Sequence, residues 1–221
     1  LVIGPLFSDS VLAIESIRKI NDIPILAFSN DASLAKSGLW ILGIGPSQHV
    51  ERVLDYAISE GKTRFAALLP NRKYGKIIND TIEKTLLKND LVINRKVFYN
   101  NDSSDLEKAV LIIAEGFKEN KEEVLNNNID LAESEHILSE EEIPFDAIFI
   151  AASGQNLNIL AAQLQYNNVD PDKVKFLGTS SWNNKNILGE PSLENGWFSD
   201  TTKDKSSVFS NKYSKYYKNN V

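Results

Sequence analysis

The chain has 221 residues, 42% of them hydrophobic and 24% charged, with a formal net charge of −6. That length suits one large domain or two small lobes, and the acidic balance argues against a nucleic-acid surface, which needs a clustered basic face; Lys215 to Lys218 is only a short basic tail. Zero Cys excludes disulfides, thiolate metal sites and a Cys nucleophile, and no run approaches the roughly 18 apolar residues of a membrane span.

Leu1–Ser8 and Ile23–Asn30 are each a short β-branched, apolar run that stops at a Ser beside Asp or Asn. The first is followed by Val11, Leu12, Ile14, Ile17 and Ile20 at roughly helical spacing, so the unit reads strand, Ser/Asp turn, helix. Leu39–Pro46 is an apolar strand ending in Gly and Pro. Ser47 is the expected cap of a helix carrying Val50, Val53, Leu54, Ala57 and Ile58, closed by Gly61. Arg64–Pro70 is the next buried strand, and Asn71 to Gly75 reads as a loop opening a helix with Ile78, Ile82 and Leu86. Leu91–Tyr99 alternates as a strand, and Ser104-x-x-Glu107 is a capping box before Leu106, Ala109, Val110, Ile113 and Phe117.

From Lys118 to Glu142 the chain turns acidic and Asn-rich, which reads as an exposed helical insertion. Asp146–Ala151 resumes the sheet, followed by Ser153, Gly154 and a helix bearing Leu157, Leu160, Ala161 and Leu164. Val174–Gly178 is a strand, Thr179 to Asn184 a polar turn, and Gly196-Trp-Phe198 a short strand. Phe209, Tyr213, Tyr216 and Tyr217 fall on one face of a last helix. Strands separated by helices of this length imply an α/β fold with parallel sheets flanked by helices. The chain opens on Leu1 inside an apolar run and contains no Met, and is therefore expected to be a segment of a longer polypeptide.

Catalytic signals are sparse. His49 and His136 are the only two His and have no metal-ligand spacing; the Ser turns lack a Gly-x-Ser-x-Gly elbow; Gly43-x-Gly45 is too short for a dinucleotide fingerprint. The chain therefore reads as a binding protein, not an enzyme, with no cofactor.

Gly4-Pro-Leu-Phe-Ser8, Pro24-Ile-Leu-Ala-Phe-Ser-Asn30, Tyr74-Gly75, Pro144-Phe-Asp-Ala147 and Gly178-Thr-Ser-Ser-Trp182 together resemble the two-lobe type 1 periplasmic binding-protein fold, leucine/isoleucine/valine-binding branch. Within it, the Pro-Phe-Asp-Ala strand after an acidic insertion, the Gly-Thr-Ser-Ser-Trp turn and Gly196-Trp-Phe198 look most like the penicillin-binding-protein activator lipoproteins. Against that family the opening strand-helix units and the extreme C-terminus are missing. The resemblance implies a partial lobe one from residues 1–45 and 203–221, and a lobe two from 46–202 carrying the insertion at about 118–142.

The same resemblance implies the site residues. The turn at Ser8 supplies a hydroxyl and amide to a ligand carboxylate, and Ala27, Phe28 and Ser29 supply backbone groups and a second hydroxyl. Tyr74 closes over the ligand from the second lobe, with Ser153 and Ser180 on the same side. Ser180 stands where amino-acid binders hold the ligand ammonium with a Glu, so a standard α-amino acid loses its counter-charge here. Ser8 and Ser29 also read as ordinary caps of the elements that follow them, and Trp182 and Trp197 as packing. The branch motifs and the missing ammonium partner favour a regulator of a membrane-bound cell-wall synthase; the alternative is the solute-binding component of an ABC transporter for amino acids or another small carboxylate, docking on a permease. Either places the protein in the periplasm or otherwise outside the cytoplasm, with a lipid anchor possible upstream.

Overall fold

The computed structural model describes residues 1–43, 45–115, 144–185, 187, 189–200 and 203–217. The acidic insertion expected at 118–142 lies outside these residues. The chain divides into two compact units, 1–48 and 49–221.

The first unit is a three-stranded parallel sheet in the order β1 (Val2–Ile3), β2 (Ile25–Ala27), β3 (Leu39–Ile41), with α1 (Ser8–Asn21) joining the first two strands. Its core is Val11, Ile25, Ala27 and Leu39, with Ile14, Leu34 and Ile41 packed against it. Only the Val11 and Ile14 side of α1 meets this small core. Leu12, Ile17 and Ile20 of the same predicted stripe are exposed, because three short strands are too narrow to cover a full helical face.

The second unit holds a five-stranded parallel sheet in the order β5-β4-β6-β7-β8. The strands are β4 (Phe65–Pro70), β5 (Ile93–Tyr99), β6 (Ala147–Ile150), β7 (Lys175–Gly178) and β8 (Trp197–Phe198). The helices are α2 (Pro46–Ser59), which starts just before the unit, α3 (Lys73–Leu87), α4 (Ser103–Ile113), α5 (Gly154–Tyr166) and α6 (Lys203–Tyr217). Every residue of β4 is buried, as a continuous apolar run at the centre of a parallel sheet requires, while β5 alternates as an edge strand. Phe65, Ala67, Leu69, Phe149 and Leu177 pack under α2 and α3; Ala66, Leu68, Ile148, Ile150 and Phe176 pack under α4 and α5.

Four local expectations are corrected. Helix α2 begins on Pro46, whose fixed φ suits the first helical position, so Ser47 lies inside the first turn and is not the cap. The cap of α4 is Asp102, whose Oδ1 accepts the Asp105 N–H at 2.9 Å, two residues before Ser104. Tyr74 and Gly75 sit in the first turn of α3, not in a loop. A Cβ on Gly75 would lie 1.9 Å from the Pro70 carbonyl oxygen, so this glycine permits a close helix-to-strand approach and does not interrupt the helix. On α6, Phe209, Tyr213 and Tyr217 form a ladder of rings 6.0 and 4.7 Å apart, following i, i+4 spacing, and Tyr216 lies off it.

Candidate functional site

Parallel βα units turn their strand carboxyl ends and following helix N-termini to one edge of the sheet, where ligands of such folds bind. In the first unit that edge carries Ser8, the first residue of α1, and Ser29, two residues past β2. Their hydroxyl oxygens are 2.9 Å apart. Ser29 is almost fully buried and also accepts the Asp31 N–H at 3.1 Å, so it ties its own turn together while holding Ser8. Two backbone groups of this turn are already engaged: the Ala27 carbonyl accepts from Leu42 N–H at 2.8 Å, and the Phe28 N–H donates to Pro5 O at 2.9 Å. The Phe28 ring is exposed.

In the second unit the edge gathers a chain of hydroxyls. Tyr74, half-buried at the start of α3, hydrogen-bonds Thr179. Burial pushes the Tyr74 phenol up from its ordinary pKa, against the opposing pull of that hydrogen bond and of the Arg72 charge. The Arg72 guanidinium lies 5.8 Å from the Tyr74 ring centre. Thr179 Oγ1 is 2.9 Å from Ser181 Oγ, which in turn is 3.5 Å from the Ala152 carbonyl, next to Ser153. Ser153 caps α5 by position and is exposed, with no side-chain cap hydrogen bond.

Ser180 Oγ is 3.4 Å from His49 Nε2. The other ring nitrogen, Nδ1, is 3.0 Å from the Ser199 carbonyl. A carbonyl can only accept, so Nδ1 donates to it; in the neutral ring Nε2 then accepts from Ser180. His49 has no local signal in the sequence because its partners lie 131 and 150 residues away, and only the sheet order brings them together. Among the described residues, Tyr74, Thr179, Ser180, Ser181, His49 and Arg72 form this cluster without a carboxylate, and no group of His, Asp and Glu could hold a metal ion. Thus Ser8 and Ser29 are joined in one unit; in the other, Tyr74 is linked through Thr179 and Ser181 to the residue preceding Ser153, while Ser180 is bonded separately to His49.

Solved structures share this architecture. The leucine-binding protein LivK of Thermotoga maritima matches 99% of the chain with a TM-score of 0.62 at 13% identity, the chain covering 57% of it. This is the type 1 periplasmic binding-protein fold. The same fold appears in a branched-chain amino acid ABC transporter ligand-binding protein of Burkholderia xenovorans (TM-score 0.61, 13% identity, 99% of this chain, 54% of that one). It appears again in an ABC transporter solute-binding protein of R. palustris in complex with benzoate (TM-score 0.59, 12% identity, 99% and 55%). In sequence, an uncharacterized protein of Rickettsia prowazekii is 27% identical over 174 residues, 79% of this chain and 42% of that protein. No protein-family model matches. The type 1 fold is thus present in part: the chain spans about half the length of the proteins it matches. Among the described residues, no helix is long and apolar enough to cross a membrane.

Proposed function

We propose that the chain is part of an extracytoplasmic solute-binding protein that takes a small carboxylate lacking an α-ammonium and presents it to an ABC transporter. The carboxylate-free cluster of Tyr74, Thr179, Ser180 and His49 carries this reading. Hydroxyls, an imidazole and Arg72 suit a neutral or anionic ligand end, whereas a desolvated ammonium would be left without a counter-charge, a loss of roughly a few kcal/mol. Benzoate in one structural neighbour and 3,4-dihydroxybenzoic acid in another are ligands of this type. In this reading lobe one comprises 1–45 with the last helix, and lobe two 46–202. The ligand-contact candidates of the first unit are Ser8 and Ser29, and those of the second are Tyr74, Ser153 and Ser180.

A second reading, a regulator of a cell-wall synthase related to the penicillin-binding-protein activators, is favoured by one observation. Ser180, the position expected to recognise an ammonium, is neutral and already engaged by His49. Calorimetric titration of the intact protein with benzoate and with leucine, on wild type and Ser180→Glu, separates the two. The solute reading expects benzoate to bind wild type and leucine to bind only Ser180→Glu. Leucine binding to wild type as tightly as benzoate refutes the ligand class, and no binding of any carboxylate favours the regulator.

A further inference from the structure

In the hydroxyl cluster of the second unit, two carbonyls fix which way each proton points. A hydroxyl has one proton to donate and two lone pairs, whereas a carbonyl only accepts. The first chain of bonds ends on the Ala152 carbonyl, which accepts from Ser181 Oγ at 3.5 Å. With its proton engaged there, Ser181 is the acceptor in its 2.9 Å contact with Thr179 Oγ1. Thr179 is then the donor to Ser181, and so the acceptor in its hydrogen bond with Tyr74. The Tyr74 proton points along this chain, and its phenol oxygen has only lone pairs left to offer.

The second chain ends on the Ser199 carbonyl. His49 Nδ1 lies 3.0 Å from that oxygen and 3.3 Å from Ser199 Oγ. It donates to the carbonyl, so in the neutral ring Nε2 accepts from Ser180 Oγ at 3.4 Å. The Ser180 proton is thereby engaged too, and this oxygen also has only lone pairs to offer. Both Tyr74 and Ser180 are half-buried, so neither is sealed from a ligand.

Two acceptors of this kind discriminate by chemistry. A ligand carboxylate against them would set lone pair against lone pair, leaving its own oxygens unsatisfied. An ammonium would be desolvated beside the Arg72 charge, 5.8 Å from the Tyr74 ring centre, in a cluster that among the described residues has no carboxylate. A neutral O–H or N–H satisfies both oxygens.

We propose, on the solute-binding reading above, that Tyr74 and Ser180 accept hydrogen bonds from a neutral donor on the ligand, so that the solute is a hydroxylated carboxylate and not a plain one. His49 is a positioning residue: anchored on the Ser199 carbonyl, it holds the Ser180 proton away from the ligand. Of the ligands in the structural neighbours, 3,4-dihydroxybenzoic acid has the required donors and benzoate lacks them.

The test is calorimetric titration of the intact protein at about pH 7.5, above the ordinary titration range of histidine, with benzoate, 3,4-dihydroxybenzoate and 3,4-difluorobenzoate. Fluorine is close to a hydroxyl in size and cannot donate. The expected result is binding of the dihydroxy compound about tenfold tighter than of either other acid. Ser180→Ala and Tyr74→Phe should each shrink that advantage severalfold while leaving benzoate affinity unchanged. His49→Phe should shrink it as well, because it releases the Ser180 proton, whereas a merely structural role for His49 would weaken all the acids alike. Equal binding of the three acids, or an advantage that survives both Ser180→Ala and Tyr74→Phe, overturns this inference and leaves the solute-binding reading standing. Binding of none of them overturns both.

Discussion

Gly178 ends β7 one residue before the Thr179–Ser181 hydroxyls, and its lack of a side chain is what lets Trp182 fold back over the strand. A Cβ at position 178 would sit 2.1 Å from Cε2, 2.3 Å from Cδ2 and 2.5 Å from Nε1 of Trp182. The ring has little freedom to yield: Trp182 is 2% exposed, belongs to the core with Phe176 and Leu193, and its Cζ3 already meets the space above Gly196. Gly178 is outside the left-handed region, so Ala is conformationally acceptable and the cost of Gly178→Ala is steric. Overpacking a close-packed core costs about 1–3 kcal/mol, and partial expulsion of the indole adds to it, so a loss of about 3 kcal/mol is expected. Urea unfolding followed by far-ultraviolet circular dichroism measures it. Trp182→Leu in the Gly178→Ala background should recover about 2 kcal/mol relative to additivity, because it removes the clashing ring. A loss under about 1 kcal/mol, or strict additivity of the two changes, would refute the reasoning.

Asp146 clamps the amino ends of β4 and β6: its carboxylate accepts from Arg64 N–H at 3.0 Å and Thr63 N–H at 3.2 Å and lies 3.7 Å from Arg64 Nε. Asp146→Ala should cost about 2 kcal/mol in the same urea assay, from two backbone donors left without their acceptor. Tyr99 donates to the Ala151 carbonyl at 3.0 Å, and burial holds its phenol well above the usual range. The protonated form is thus favoured in the folded state. Its contribution is complete below about pH 10, the ordinary phenol value, and is lost as pH rises through the higher folded value. Tyr99→Phe should lower stability at neutral pH by about 1 kcal/mol and flatten the fall in stability above about pH 10, read from urea midpoints against pH.

Much of the fold is legible in the residues because burial dictates them. Phe65-Ala-Ala-Leu-Leu-Pro70 has no polar position and can only be a central strand, and Val50, Val53, Leu54 and Ala57 mark one buried helical face. What escapes is decided by geometry at a distance. Ser104 and Asp102 both satisfy the rules for a cap, and the carboxylate that reaches Asp105 N–H prevails. Gly75 reads as a break, yet it serves the helix's approach to Pro70. His49 carries no local signal of function; its role depends on β7 and β8 bringing Ser180 and Ser199 to the same edge. Matching turns mark Ser8 and Ser29 in the sequence, and the structure joins their hydroxyls to each other.

The most direct test of the solute-binding account is the thermal unfolding of the intact protein with and without a panel of small carboxylates led by benzoate, beside Tyr74→Ala. A ligand at a hundredfold its dissociation constant adds about 2.7 kcal/mol, which for a domain of this size is a rise of roughly 5–10 °C. The account predicts such a rise for wild type and its loss in Tyr74→Ala. An unchanged midpoint with every carboxylate, or an equal rise in Tyr74→Ala, would contradict it.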